Sequence, residues 1–79
     1  MELLNNLSKI HTTELGVVRI KRNLKLDTDD VVAWCVEQIE MHPDDITRNG
    51  KNWYVDIGDS IITVNAYSYT IITAHKKKG

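Results

Sequence analysis

Leu3, Leu4, Leu7 and Ile10 recur at helical spacing in MELLNNLSKI, which predicts a short amphipathic helix over 2–9. In HTTELGVVRIKRNLKL, Val17, Ile20 and Leu24, with Leu15 beside them, form a second apolar stripe and predict a helix over 13–25. Thr12 or Thr13 can cap it, and Glu14 sits near the positive end of its dipole. Gly16 within that pattern costs about 1 kcal/mol relative to Ala, so it marks either a close approach of other backbone or a later helix start. The stretch DTDDVVAWCVEQIEMHP reads as a third helix over 29–41. Asp27 or Thr28 is its cap, Val31, Val32, Cys35, Val36 and Ile39 form its buried face, and Pro43 is its stop. After Pro43 the period changes from helical to alternating. Turn signals at Asn49-Gly50, Gly58-Asp59 and Ala66-Tyr67-Ser68 divide the remainder into strands near 45–48, 51–57, 60–65 and 69–76. Helices followed by a run of strands predict a single α+β domain spanning 1–79. Two to three helices would pack on one face of a four-stranded antiparallel meander.

The last two strands repeat the triplet IIT at a spacing of ten, which is what two short paired runs and a tight turn require. With Ala66-Tyr67-Ser68 as the loop, Asn65 pairs with Tyr69, Thr63 with Ile71 and Ile61 with Thr73. Alternation then places Tyr69, Thr73 and His75 on one face with Thr63 and Asn65. Ile62, Val64, Ile72 and Ala74 fall on the other, as core. The polar face is either an ordinary half-wet sheet surface, where β-branched threonine is favoured for its shape, or a site. In the second case a hydroxyl, an amide and an imidazole stand together beside Lys76, Lys77 and Lys78.

Charge adds a reason to consider a site. The net charge of −1 hides +3 over residues 1–26, −7 over 27–59 and +3 over 60–79. If the two ends meet in the fold they form one cationic patch, as an anionic ligand needs; otherwise they solvate a helix face and a tail. Composition excludes other classes. A single cysteine, Cys35, permits no internal disulfide, and its place in an apolar stripe with no neighbouring cation makes it a packed thiol. No metal-ligand spacing, glycine-rich phosphate loop or Ser-His-Asp signature is present, so no metal or cofactor is expected. No run is long and apolar enough to span a membrane, and the first ten residues are too polar for a secretory core. A cytoplasmic location is the resulting expectation.

HTTELGVVRIKRNL, GKNWYV and ITVNAYSYTIITAHK, in that order, resemble a family of small bacterial and phage-associated domains of unknown function. A more distant architectural likeness, in helices followed by a meander ending in a TIIT-type strand, is to the barnase/colicin/RelE-like ribonucleases. That likeness implies metal-independent RNA cleavage, with His11 and Arg19 facing Tyr69, Thr73 and His75. The two imidazoles would divide acid and base duty while Arg19 clamps a phosphate. The residues themselves point first to a non-catalytic binding protein. Its cationic polar site would take a nucleotide, a signalling dinucleotide or RNA, with Arg22, Asn65, Tyr67 and Lys76 as ligand contacts, or it would engage a host or phage protein. Trp53, Tyr54, Tyr67 and Tyr69 offer stacking surfaces. Trp34 and Trp53 are costly to bury fully in so small a core, which also favours a homo-oligomer.

Overall fold

A computed structural model describes residues 1–77. Its order is α1 (Glu2–Asn5), a 3₁₀ turn (Leu7–Lys9), α2 (Glu14–Leu24), α3 (Val31–Met41), a second 3₁₀ turn (Pro43–Asp45) and four strands. The strands are β1 (Ile46–Asn49), β2 (Asn52–Asp56), β3 (Ser60–Asn65) and β4 (Ile71–Lys76). They form one antiparallel sheet in the order β1-β2-β3-β4, so the α+β meander read from the periodicity is the fold observed. No helix among the described residues is long and apolar enough to cross a membrane. Lys78, counted above in the lysine rim, lies outside the described residues.

The helix boundaries follow their caps. The predicted helix over 2–9 is broken at Asn6, whose amide group turns back to donate to the Glu2 carbonyl. Leu3 and Ile10 are still buried on either side of the break. In α2, Thr13 Oγ1 accepts from Gly16 N at 3.0 Å, and Lys25 closes the helix in the left-handed region with Leu26 N bonded to Lys21 O. The cap of α3 is Asp30 rather than Asp27 or Thr28. Asp30 Oδ1 accepts from Ala33 N, while Thr28 Oγ1 accepts from Asp30 N and so orders the approach. Gly16 marks a close approach, and the neighbour is a side chain: a Cβ there would lie 2.2 Å from Thr12 Oγ1.

The helices and the inner sheet face enclose one core. Leu3, Ile20, Val31, Cys35 and Ile39 meet Trp53, Val55, Ile62, Val64, Ile71 and Ala74 within it. Trp34 is half-buried and packs against this cluster. Burial pushes the Cys35 thiol up to about 12, so it stays protonated and behaves as a small hydrophobe. The opposite sheet face is polar, with Thr63 buried among its neighbours at the centre. Thr47, Tyr54, Thr63 and Thr73 stand opposite one another across it as a row of four hydroxyls.

Two turns differ from the expected register. The first hairpin turns through Gly50-Lys51 rather than Asn49-Gly50, with Asn49 paired to Asn52. This spares Asn49 a left-handed conformation, since only Gly50 takes a positive φ of 60°. In the last hairpin, Ile61 pairs with His75 and Thr63 with Thr73, and a bulge follows so that Val64 meets Ile71. Ile72 is the extra residue and is exposed, whereas Ile71 takes the core position assigned above to Ile72. The bulge also removes Tyr69 from the face of Thr73 and His75.

At the far end of the sheet, Lys77 Nζ donates to Asp56 Oδ2 at 2.6 Å and Gly58 N donates to its Oδ1. The Lys77 bond first, then the Gly58 bond, hold the Asp56 carboxyl below its ordinary 3.8. A carboxylate depressed in the folded state adds stability above its unfolded value, and that stability is lost as pH falls through the folded value. Asp56→Asn keeps the bond from Gly58 but removes the charge. The melting-temperature gap between the native chain and this variant should be widest near neutral pH and close as pH drops below about 4. A gap independent of pH would refute the ion-pair account.

Candidate functional site

The two β-turns at one end of the sheet and the segment before α2 meet there. Ala66 N donates to Lys51 O at 2.7 Å, joining the last turn to the first hairpin. Residues 10–12 lie alongside β4 as a parallel stub: His11 N donates to Tyr69 O, Ile71 N donates to His11 O, and Thr12 Oγ1 donates to Ile71 O. The stub brings the His11 ring onto the turn. Its Nδ1 lies 2.9 Å from the Lys9 carbonyl, which only accepts, so Nδ1 carries a proton. Its Nε2 lies 3.1 Å from Thr70 Oγ1. Thr70 Oγ1 is 2.8 Å from Ser68 Oγ, and Ser68 Oγ is 3.1 Å from Asn65 Oδ1.

This row runs from an imidazole through two hydroxyls to an amide. Two hydroxyl protons, from Ser68 and Thr70, are shared among the three contacts of the row. Asn65 Oδ1 also accepts from the backbone of Tyr67 and Ser68, which fixes the turn that presents them.

Cations and aromatic rings surround the row. The Arg48 guanidinium lies 5.6 Å from the centre of the Trp53 ring and 5.7 Å from that of Tyr67. Lys9 Nζ lies 5.6 Å over Tyr69, whose ring meets Trp53 at 5.4 Å and 48°. Trp53 is buried and Tyr69 half-buried, but Tyr67 is 72% exposed and presents its ring to solvent. The two ion pairs among the described residues are Lys21–Asp29 and Lys77–Asp56. Neither involves Lys9, Arg48 or Lys51, so those three cations have no carboxylate partner there. The described residues enclose no pocket, and no three His, Cys, Asp or Glu side chains among them converge to hold a metal.

The residues singled out in the sequence therefore separate into three places. His11, Asn65, Tyr67 and Tyr69 gather at this end, although Tyr69 turns toward Trp53. Thr73, His75 and Lys76 lie along β4 toward the opposite end, with His75 Nδ1 against the Lys76 carbonyl. Arg19 and Arg22 are exposed on α2 and make no side-chain hydrogen bond or ion pair among the described residues. His11 is bonded beside Thr70, and His75 is five residues further along, about 16 Å at strand rise. The two imidazoles do not converge on one phosphate.

Lys9, Arg48, Lys51, Ser68 and Thr70 were not singled out. Only the Gly50-Lys51 register sets Arg48 opposite Trp53; a turn at Asn49-Gly50 would pair it with Lys51. No local signal links His11 to Thr70, which are 59 residues apart.

Residues 4–75 match the protein family described as "Protein of unknown function (DUF3781)". The chain belongs to the DUF3781 family. The resemblance seen in the sequence to a family of unknown function is thus established over nearly the whole chain. DUF3781 membership carries neither the ribonuclease likeness nor a bacterial or phage origin. No curated protein and no solved structure matches the chain.

Proposed function

We propose that this DUF3781 protein is a small non-catalytic binding protein whose cationic, aromatic sheet end takes single-stranded RNA. The observation that carries this reading is Arg48 held between Trp53 and the exposed ring of Tyr67, beside the hydrogen-bonded row from His11 to Asn65. Cations that track a backbone, together with a ring on which a base can stack, are the two elements of single-strand recognition. The absence of an enclosed pocket among the described residues favours a chain-like anion lying across the turns over a buried mononucleotide. Ser68, Thr70 and Asn65 add hydroxyls and an amide, suited to base edges and to a 2′-hydroxyl.

The test is fluorescence anisotropy with a labelled oligouridine of about eight nucleotides, within the usual single-strand site sizes. Three phosphate contacts, from Lys9, Arg48 and Lys51, predict a log–log salt slope of roughly −2. Arg48→Ala should weaken binding about tenfold and reduce the slope by about 0.7, and Tyr67→Ala should weaken it with the slope unchanged. Failure to bind at low salt, or binding indifferent to Arg48→Ala, would overturn the reading. So would cleavage of the oligonucleotide by the purified protein, which would make it an enzyme.

A further inference from the structure

The two edges of the sheet are treated differently. On the β4 side, outward backbone groups are engaged along much of the edge: Ile71 N and the preceding Tyr69 O by the His11 stub, Ile71 O by Thr12, and Ala74 O by Asn23 Nδ2 at 3.2 Å. On β1 they are open. Asn49 and Asn52 close the two-residue hairpin as a hydrogen-bonded pair, so alternation turns the backbone of Arg48 and of Ile46 away from β2. Among the described residues, no hydrogen bond engages those outward N–H and C=O groups. The Arg48 side chain does not shield them, because its Nε folds back to Gly50 O at 2.9 Å. An open edge is a template for another strand, and proteins ordinarily cover or disrupt it.

The charges flanking β1 indicate which strand fits. Asp44 and Asp45 precede it, and Arg48 and Lys51 lie at its other end. An antiparallel copy of the same segment sets acids against bases at both ends, whereas a parallel copy sets like charges together. We infer that a second copy of this chain pairs with β1 through its own β1, antiparallel and centred on Thr47, joining two sheets into one of eight strands.

This register follows from the backbone. Using both outward residues of each strand at once sets Ile46 against Arg48 and Arg48 against Ile46 of the second copy. Thr47 then faces Thr47, and Asp45 stands opposite Asn49, diagonal to Lys51 of the other copy. The contact is isologous and closes as a dimer, leaving the covered β4 edges outermost. One four-residue strand pair buries little area, so the dimer is weak, with Kd on the order of 10–100 μM. The interface shares Arg48 and Lys51 with the proposed RNA site, but it forms between free chains, so self-association is read without RNA and its failure is distinct from failure to bind RNA.

Sedimentation equilibrium from about 5 μM to 1 mM brackets that affinity. The native chain should pass from monomer to dimer over this range. Amide exchange followed by NMR across the same series should show Ile46 and Arg48 gaining protection, while Thr47, already bonded to β2, changes little. Asp44→Lys with Asp45→Lys should weaken association at least tenfold, and adding Lys51→Glu should recover part of it. Both acids are exposed, so these variants should fold, which circular dichroism checks. A monomer at every concentration would overturn the inference. So would a dimer whose Ile46 and Arg48 amides exchange at unchanged rates, or association indifferent to the charge reversal.

Discussion

Trp53→Ala should cost about 3–5 kcal/mol, measured as a shift in the denaturant midpoint followed by far-ultraviolet circular dichroism. Trp53 is 3% exposed, and its ring meets Tyr69 on one side and the Arg48 guanidinium on another. Truncation removes the transfer energy of a large side chain and leaves a cavity that the sheet cannot close, because Val55 and Val64 beside it are already fully packed. A 79-residue chain has a total stability of roughly 4–12 kcal/mol, so this one change should bring it near the unfolding threshold. Trp53→Phe should cost appreciably less. A loss below about 1 kcal/mol for the alanine variant would mean that Trp53 is not a core contact. Because Trp53 supports Arg48 and Tyr69, its loss would also loosen the proposed site, so this variant tests packing and not ligand binding.

Gly16→Ala should destabilise the fold by about 1–2 kcal/mol, against the direction that helix propensity alone gives. Alanine in a helix is favoured over glycine by about 1 kcal/mol. Here the added methyl would stand 2.2 Å from Thr12 Oγ1, which donates to Ile71 O and cannot turn away without breaking that bond. The explanation is checked by a double-mutant cycle. Thr12→Ala removes the obstructing oxygen, so Gly16→Ala made on that background should be neutral or stabilising. Thermal unfolding of the four proteins measures the coupling. If Gly16→Ala stabilises the otherwise native chain, the close approach is not a constraint.

The comparison of pattern with structure has a physical lesson in the two IIT triplets. Helical and alternating periods reveal which elements form, because each period reports a repeating relation to one buried surface. That is why α2, α3 and the meander were legible. A bulge adds one residue without altering the letters, so Ile71 and Ile72 look interchangeable until the pairing of Thr63 with Thr73 is known. The same limit governed the site. Alternation grouped Tyr69 with His75 along one strand, whereas the bulge and the positive φ of 61° at Tyr69 send its ring to Trp53. The row from His11 to Asn65 depends on a contact across 59 residues, for which a single sequence carries no periodic signal. Charge segmentation was a poor guide to the cations. Residues 10–12 do meet residues 69–71, but of the cations gathered there only Lys9 comes from a positive chain end, while Arg48 and Lys51 come from the acidic middle segment.

The parallel stub at His11 also orders events in time. The segment bonds to Tyr69 and Ile71, so during synthesis it must wait until β4 has been made. The meander can zip hairpin by hairpin through near neighbours, but the stub closes a loop of almost sixty residues and is entropically the last to gain. Folding should therefore finish where the ligand is proposed to bind. An incomplete chain would display the helices and early strands with that surface still unassembled.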